Sequence, residues 1–270
     1  DDFDPATQQD TLRVLHPDGS TSAWTPPDSM GNVVCAAQNQ DSPQTAILSG
    51  GGGTQATYQV TPSDIAAGTF GTSTDLAPAL DPSALSIAGG VGQDTGLGQA
   101  IVPVIDAFNP TGPGRFVTAD LASGQVSSFP SVTDWFASGV AVDSATHDAI
   151  VGSDDSFGIY DLQARTATAL SGGGSGYQHP AADAAHHVFV LQEVAPPDYF
   201  GTSPNNNAMS SIVVVDEHGT VLQRIEKFNF YDIYLLDMGS YVQLDPARGS
   251  GYTLAPGGWQ LYPFDYRTGG

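Results

Sequence analysis

The chain is 270 residues long, 40% hydrophobic and 13% charged, with seven Lys plus Arg against 29 Asp plus Glu and a formal net charge of -22. Seven cations cannot form the basic stripe that phosphate neutralisation requires, so most nucleic-acid readings are excluded and anionic lipid surfaces are disfavoured. No apolar stretch approaches the roughly 18 residues of a membrane-spanning helix, and a lone cysteine, Cys35, permits no internal disulfide.

The acid is nearly all Asp: Glu193, Glu217 and Glu226 are the only glutamates, and Lys227 is the only lysine. Turn-forming Asp that also keeps a secreted protein soluble accounts for this balance. High-salt adaptation fits the same charge, and calcium bound by some of the carboxylates is compatible with either. The start at Asp1-Asp2-Phe3-Asp4 looks like an end left by processing, which predicts an extracellular protein whose secretory segment has been removed.

With 32 Gly and 19 Pro, and apolar positions that alternate or run in short blocks, the predicted elements are all strands. An N-terminal hairpin over residues 12–24 has no predicted sheet of its own. Residues 32–36, 45–49 and 54–60 predict one sheet, with Cys35 as a small core residue. Residues 84–87, 101–105 and 115–118 predict the next. Between them, Gly89-Gly90-Val91-Gly92-Gln93-Asp94 reads as a Gly-rich loop, with calcium ligation as the alternative; Asp154-Asp155 raises the same alternative.

The clearest unit follows. Residues 139–143 form an apolar strand, Asp143-Ser144-Ala145-Thr146-His147-Asp148 a turn, 149–152 a strand, 157–162 a third strand and 166–170 an edge strand. His179-Pro180-Ala181-Ala182-Asp183 through Val190 repeats the first two strands and their turn, and residues 241–254 repeat them again. A third-strand signature recurs at Asp120, Asp161, Asp216 and Asp265, which stand 41, 55 and 49 residues apart. Those steps bracket the roughly 40 to 50 residues of a propeller blade. The expected fold is therefore all-β, a single β-propeller domain over residues 1–270, with about five blades and six as the alternative. The segment 1–26 is expected to supply the strand missing from the last blade and so close the ring. Two inserts, 194–211 and 228–238, enlarge the repeat, and inserts of that length are more often functional than structural.

The apolar strand, the Asp-Pro-Ala or Asp-Ser-Ala turn and the Asp-Leu-x-x-Gly-x-Val hairpin at Asp120 to Val126 resemble the bacterial extracytoplasmic propellers of the YVTN and lactonase-like type. The resemblance covers about residues 115–268 and concerns the fold; members of that superfamily include lactonases and binding proteins.

Propeller geometry places ligands at the loops leading into the inner strands, around the central channel. Trp135, Tyr177, His179 and Tyr241 precede successive inner strands, so they are the expected ligand-binding residues, with inter-blade packing as the alternative role. Asp134, His179 and Asp237 are the expected set if a divalent cation such as calcium is held there to activate water. His186 and His187 read as solvent-facing, since adjacent strand residues point to opposite faces; His16, His147 and His218 fall in turns. The expected function is a secreted binding or scaffolding propeller that recognises a small molecule, a glycan or a partner protein at the channel mouth. A metal-dependent hydrolase of lactonase type and a self-associating surface or filament subunit are the alternatives. Whether the chain is an enzyme is open at this point, and so is its oligomeric state.

Overall fold

A computed structural model describes residues 2–4, 9–15, 20–30, 32–37, 42, 44–50, 58–80, 86–106, 113–134, 139–153, 156–172, 176–194, 209–229, 242–255 and 260–267. Among them are six antiparallel sheets. The first holds β1 (Asp2–Asp4), β2 (Gln9–Leu15) and β3 (Thr21–Trp24). The second holds β4 (Val33–Ala36), β5 (Gln44–Gly50), β6 (Tyr58–Asp64), β7 (Thr69–Phe70) and β8 (Thr74–Asp75). The third holds β9 (Ser86–Ala88), β10 (Gly92–Asp94), β11 (Gln99–Asp106), β12 (Pro113–Asp120) and β13 (Val126–Asp134). The fourth is β14 (Val140–Asp143), β15 (Asp148–Gly152), β16 (Ser156–Asp161) and β17 (Thr166–Gly172). The fifth is β18 (Gly176–Asp183), β19 (Val188–Val194), β20 (Met209–Asp216) and β21 (Val221–Asn229). The sixth is β22 (Val242–Asp245), β23 (Ser250–Ala255) and β24 (Gln260–Asp265).

The sheets pack face to face, in the manner of propeller blades, because the middle strands are apolar on both faces. Ala100 and Val102 of β11 join Leu48, Val60 and Leu76 of the second sheet. Their neighbour Ile101 turns the other way, to Val140, Val151 and Tyr160 of the fourth. Ile150 meets Phe189, Leu191 and Val213 of the fifth sheet, and Val190, Ile212 and Val214 meet Val242, Phe264 and Tyr266 of the sixth. Strict alternation of side-chain direction thus serves two interfaces from one strand, which is why these strands read as continuous apolar runs. Phe116 anchors the interface between the third and fourth sheets, with its ring centroid 5.2 Å from Phe129 and 4.4 Å, edge-on, from Tyr160.

Asp ends the inner and third strands for a reason of turn chemistry. The carboxylate accepts amides two to four residues on: Ala145 to Asp143 at 2.8 Å, Ser123 to Asp120 at 2.7 Å, Ala164 to Asp161 at 2.7 Å and Thr220 to Asp216 at 2.7 Å. The Ser123 amide and hydroxyl hold the Asp120 carboxyl below its ordinary range. Much of the acidity is therefore a turn device repeated from sheet to sheet.

Three expectations need correction. The N-terminal strands do not complete the last sheet: among the described residues β1, β2 and β3 pair with one another and not with β22 to β24. The reason lies in the sequence, since Asp4-Pro5-Ala6 repeats Asp245-Pro246-Ala247 and the register Asp4 to Gln9 matches Asp245 to Ser250, so this segment begins a sheet of its own. The count among the described residues is accordingly six sheets, the alternative to the expected five. Residues 89–94 are no separate loop, because β9 and β10 both pair with β11 and form one inner strand, kinked at Gly90 (φ 133). Phe228 and Asn229, expected in an insert, end β21.

The inner strands crowd one another where they begin. A Cβ on Gly90 would lie 3.3 Å from the Cα of Gly139, and one on Gly139 (φ 125) would lie 3.0 Å from the Cδ of Pro180. At Gly98 (φ 65) a Cβ would meet nothing within 4 Å. Gly139→Ala is therefore expected to cost about 2–3 kcal/mol and Gly98→Ala about 1 kcal/mol, the backbone strain alone. Urea unfolding of the two variants checks the order, and equal losses would contradict the crowding.

Candidate functional site

Antiparallel order gives each sheet two ends. At one end lie the Asp turns; at the other, the connections that lead into the inner strands. The Asp end is a set of bridges between neighbouring sheets. His147 Nδ1 is 2.9 Å from Asp94 Oδ2, and His187 Nδ1 is 2.8 Å from Asp143 Oδ2. The Tyr266 hydroxyl donates to Asp183 Oδ2 at 2.6 Å, and burial, reinforced by that carboxylate, raises its pKa. All three carboxylates are buried. His147 lies in its turn and His187 is exposed, as expected, and each also forms a bridge: it occupies the fourth position after its own inner-strand Asp and reaches back to the Asp of the sheet before. His186 is exposed as well, with Nδ1 2.9 Å from Asp183 Oδ2 and Nε2 accepting from Arg267 Nη1 at 2.9 Å.

Asp148 stands beside Asp143 and Asp161 in register. Burial first, then the charges of Asp161, Asp143 and Glu217, raise its pKa.

The opposite end carries the stronger functional signal, because polar side chains are buried there without turns to cap. His179 lies in β18, buried, in the left-handed backbone region (φ 50), where β18 slips its register against β19 between Gln178 and Ala181. Next to it across the sheet, β19 buries Gln192 and Glu193. Gln192 Nε2 donates to Thr253 Oγ1 of the sixth sheet. Glu193 takes both arms of Arg224, Nε to Oε2 at 2.5 Å and Nη2 to Oε1 at 2.9 Å. By strand alternation Glu193 shares the face of Leu191, which packs on the fourth sheet, so the ion pair lies on the seam between the fourth and fifth sheets. A buried carboxylate is costly unless it is paired, and this one is paired with a guanidinium whose side chain is 43% exposed. Two polar pairs thus stand on opposite faces of the fifth sheet, Glu193–Arg224 toward the fourth sheet and Gln192–Thr253 toward the sixth, and of these side chains the guanidinium is exposed.

Of the expected site residues, His179 is at this end. The backbone of Tyr177 lies opposite Glu193. Asp134 ends β13, opposite Pro113, on the outermost strand of its sheet. Trp135, Tyr241 and Asp237 lie outside the described residues, as do Asp154 and Asp155. Sequence reasoning missed Gln192, Glu193, Arg224 and Thr253. The available signal was Glu193 itself, one of three glutamates in the chain, placed where the strand pattern calls for an apolar residue. No group of three or more His, Cys, Asp or Glu side chains suited to a metal ion is present among the described residues. Cys35 is half-buried, and burial pushes its thiol up to about 12 against the opposing effect of a hydrogen bond from the Val91 backbone, a direction that disfavours the thiolate.

No family model matches the sequence, and no curated protein matches it either. Solved structures do. Hydrazine synthase from Kuenenia stuttgartiensis aligns with a TM-score of 0.62 at 10% identity, over 95% of this chain and 70% of that one. A chain of a nidogen/laminin complex aligns at 0.52 with 12% identity, over 77% and 70%. A functionally unknown protein from Desulfotomaculum acetoxidans aligns at 0.56 with 11% identity, over 86% and 68%. At such identities the likeness is one of fold, and it identifies the chain as structurally similar to β-propeller proteins.

Arg224→Ala removes the guanidinium from the buried Glu193 carboxylate. It is expected to cost about 1–2 kcal/mol, less than a fully buried pair because the guanidinium is partly in water. Glu193→Gln, which still accepts a hydrogen bond, should cost less. Denaturant midpoints check this order, and a neutral Arg224→Ala would contradict the account of the pair.

Proposed function

We propose that this chain is a binding or scaffolding propeller that works outside the cell and holds its ligand at the end opposite the Asp turns. The observation that supports it best is that His179, Gln192, Glu193 and Thr253 are buried toward one end of the fifth and sixth sheets, with the partly exposed Arg224 paired to Glu193. Polar groups that converge beside an apolar wall are how proteins orient small ligands. A guanidinium, an imidazole and an amide suit a small polar molecule, a glycan or an exposed polar segment of a partner protein. The repeat syntax favours a place among the extracytoplasmic YVTN and lactonase-like propellers, and the acidic composition with a lone cysteine agrees with a secreted setting.

The test is a thermal-shift screen of the purified chain against simple sugars, amino acids and divalent cations, run in parallel on His179→Asn and Arg224→Gln. The reading expects at least one sugar or amino acid to raise Tm in the parent chain and to lose that effect in one or both variants. A ligand effect untouched by both substitutions would place binding elsewhere. Lactone hydrolysis that calcium supports and a chelator abolishes would replace this reading with the hydrolase one.

A further inference from the structure

We propose that the His187–Asp143 bridge is a proton-operated clamp: protonated His187 locks the turn end of the fifth sheet onto the fourth, and loss of the proton loosens it. The argument starts from the backbone. His187 has φ 52 and His147 has φ 65, in the left-handed region, at the position where the third and sixth sheets carry Gly98 (φ 65) and Gly249 (φ 69). A glycine there avoids about 1 kcal/mol of strain. The imidazole is therefore kept against the local preference, and what it gains is the reach to a carboxylate one sheet back.

The two partners are unequal in a way that suits a switch. The Asp143 side chain is 1% exposed and that of His187 is 46% exposed, so the anion is sequestered while the imidazole exchanges protons with solvent. The groups that act on His187 from the packed elements are Asp143 of the fourth sheet, Glu217 of the neighbouring β20–β21 turn and Asp183 of its own hairpin, all carboxylates. Their joint effect, led by the hydrogen bond to Asp143, raises the His187 pKa above its ordinary value. The stabilisation is then complete below the unfolded imidazole value of about 6.5 and is lost as pH rises through the higher folded value. The next bridge along shows the contrast. Asp183 is held by the Tyr266 hydroxyl, which does not titrate near neutrality, and the adjacent His186 accepts from Arg267.

The clamp joins the two sheets whose other end carries the Glu193–Arg224 pair, so it acts on the interface that holds the candidate site. Its test is the pH dependence of Tm between pH 5.5 and 9 at high ionic strength, which damps the background from net charge. His187→Asn tolerates the left-handed backbone and cannot titrate, and Asp143→Asn removes the buried anion. The parent chain should lose about 2 °C more than His187→Asn across that range. The His187 ring resonance should titrate above the ordinary imidazole value in the parent and return to it in Asp143→Asn. Parallel Tm curves, or a His187 titration at or below the ordinary value in the folded parent, would overturn the proposal.

Discussion

The buried carboxylates that end the inner strands of the third, fourth and fifth sheets, Asp94, Asp143 and Asp183, are the constraint on which the packing of these sheets depends. An Asp in that place does two things at once. One oxygen accepts amides of its own turn, as Asp94 does from Leu97 at 2.9 Å, and the other is left for a donor on the neighbouring sheet. The apolar side chains supply most of the free energy of packing one sheet on the next, but they are non-directional. The carboxylate supplies direction, because a buried anion without a donor is expensive and the donor comes from one place on the next sheet. Register between sheets is therefore set at the turn end.

That division of labour leaves the opposite end available. There the backbone takes positive φ at Gly90, Gly139 and His179, within or just before the inner strands, and neighbouring inner strands come within contact distance. Chains that approach so closely leave little room for side chains on those residues. The next positions outward hold the buried polar groups. Gln192 and Glu193, adjacent on one strand, point to opposite seams and satisfy partners on different elements, Thr253 and Arg224.

Much of the fold was legible because its repeat is local. The strands expected at residues 139–170 agree with β14 to β17 within two residues, and the Asp turns lie where short acidic runs interrupt apolar ones. The first sheet was missed because only its hairpin, and not the short β1, shows an apolar pattern, although Asp4-Pro5-Ala6 carried the repeat. The broken inner strand β9–β10 was missed because four glycines between Gly89 and Gly96 hid its alternation. Of the site, His179 was legible from its place before an inner-strand Asp. Glu193 and Arg224 were not, because their pairing crosses β20 and depends on sheet register. The bridges from His147 and His187 were hidden for a similar reason: each joins residues 53 and 44 positions apart, and nothing in the local sequence announces a contact of that range.

Backbone hydrogen exchange on Asp143→Ala tests the central claim most directly. If the inner-strand Asp joins sheets, exchange should accelerate both in its own turn, at Ala145 and Thr146, and across the sheet boundary in the β18–β19 hairpin. Acceleration confined to its own turn would show that the carboxylate only caps that turn, and would contradict the account.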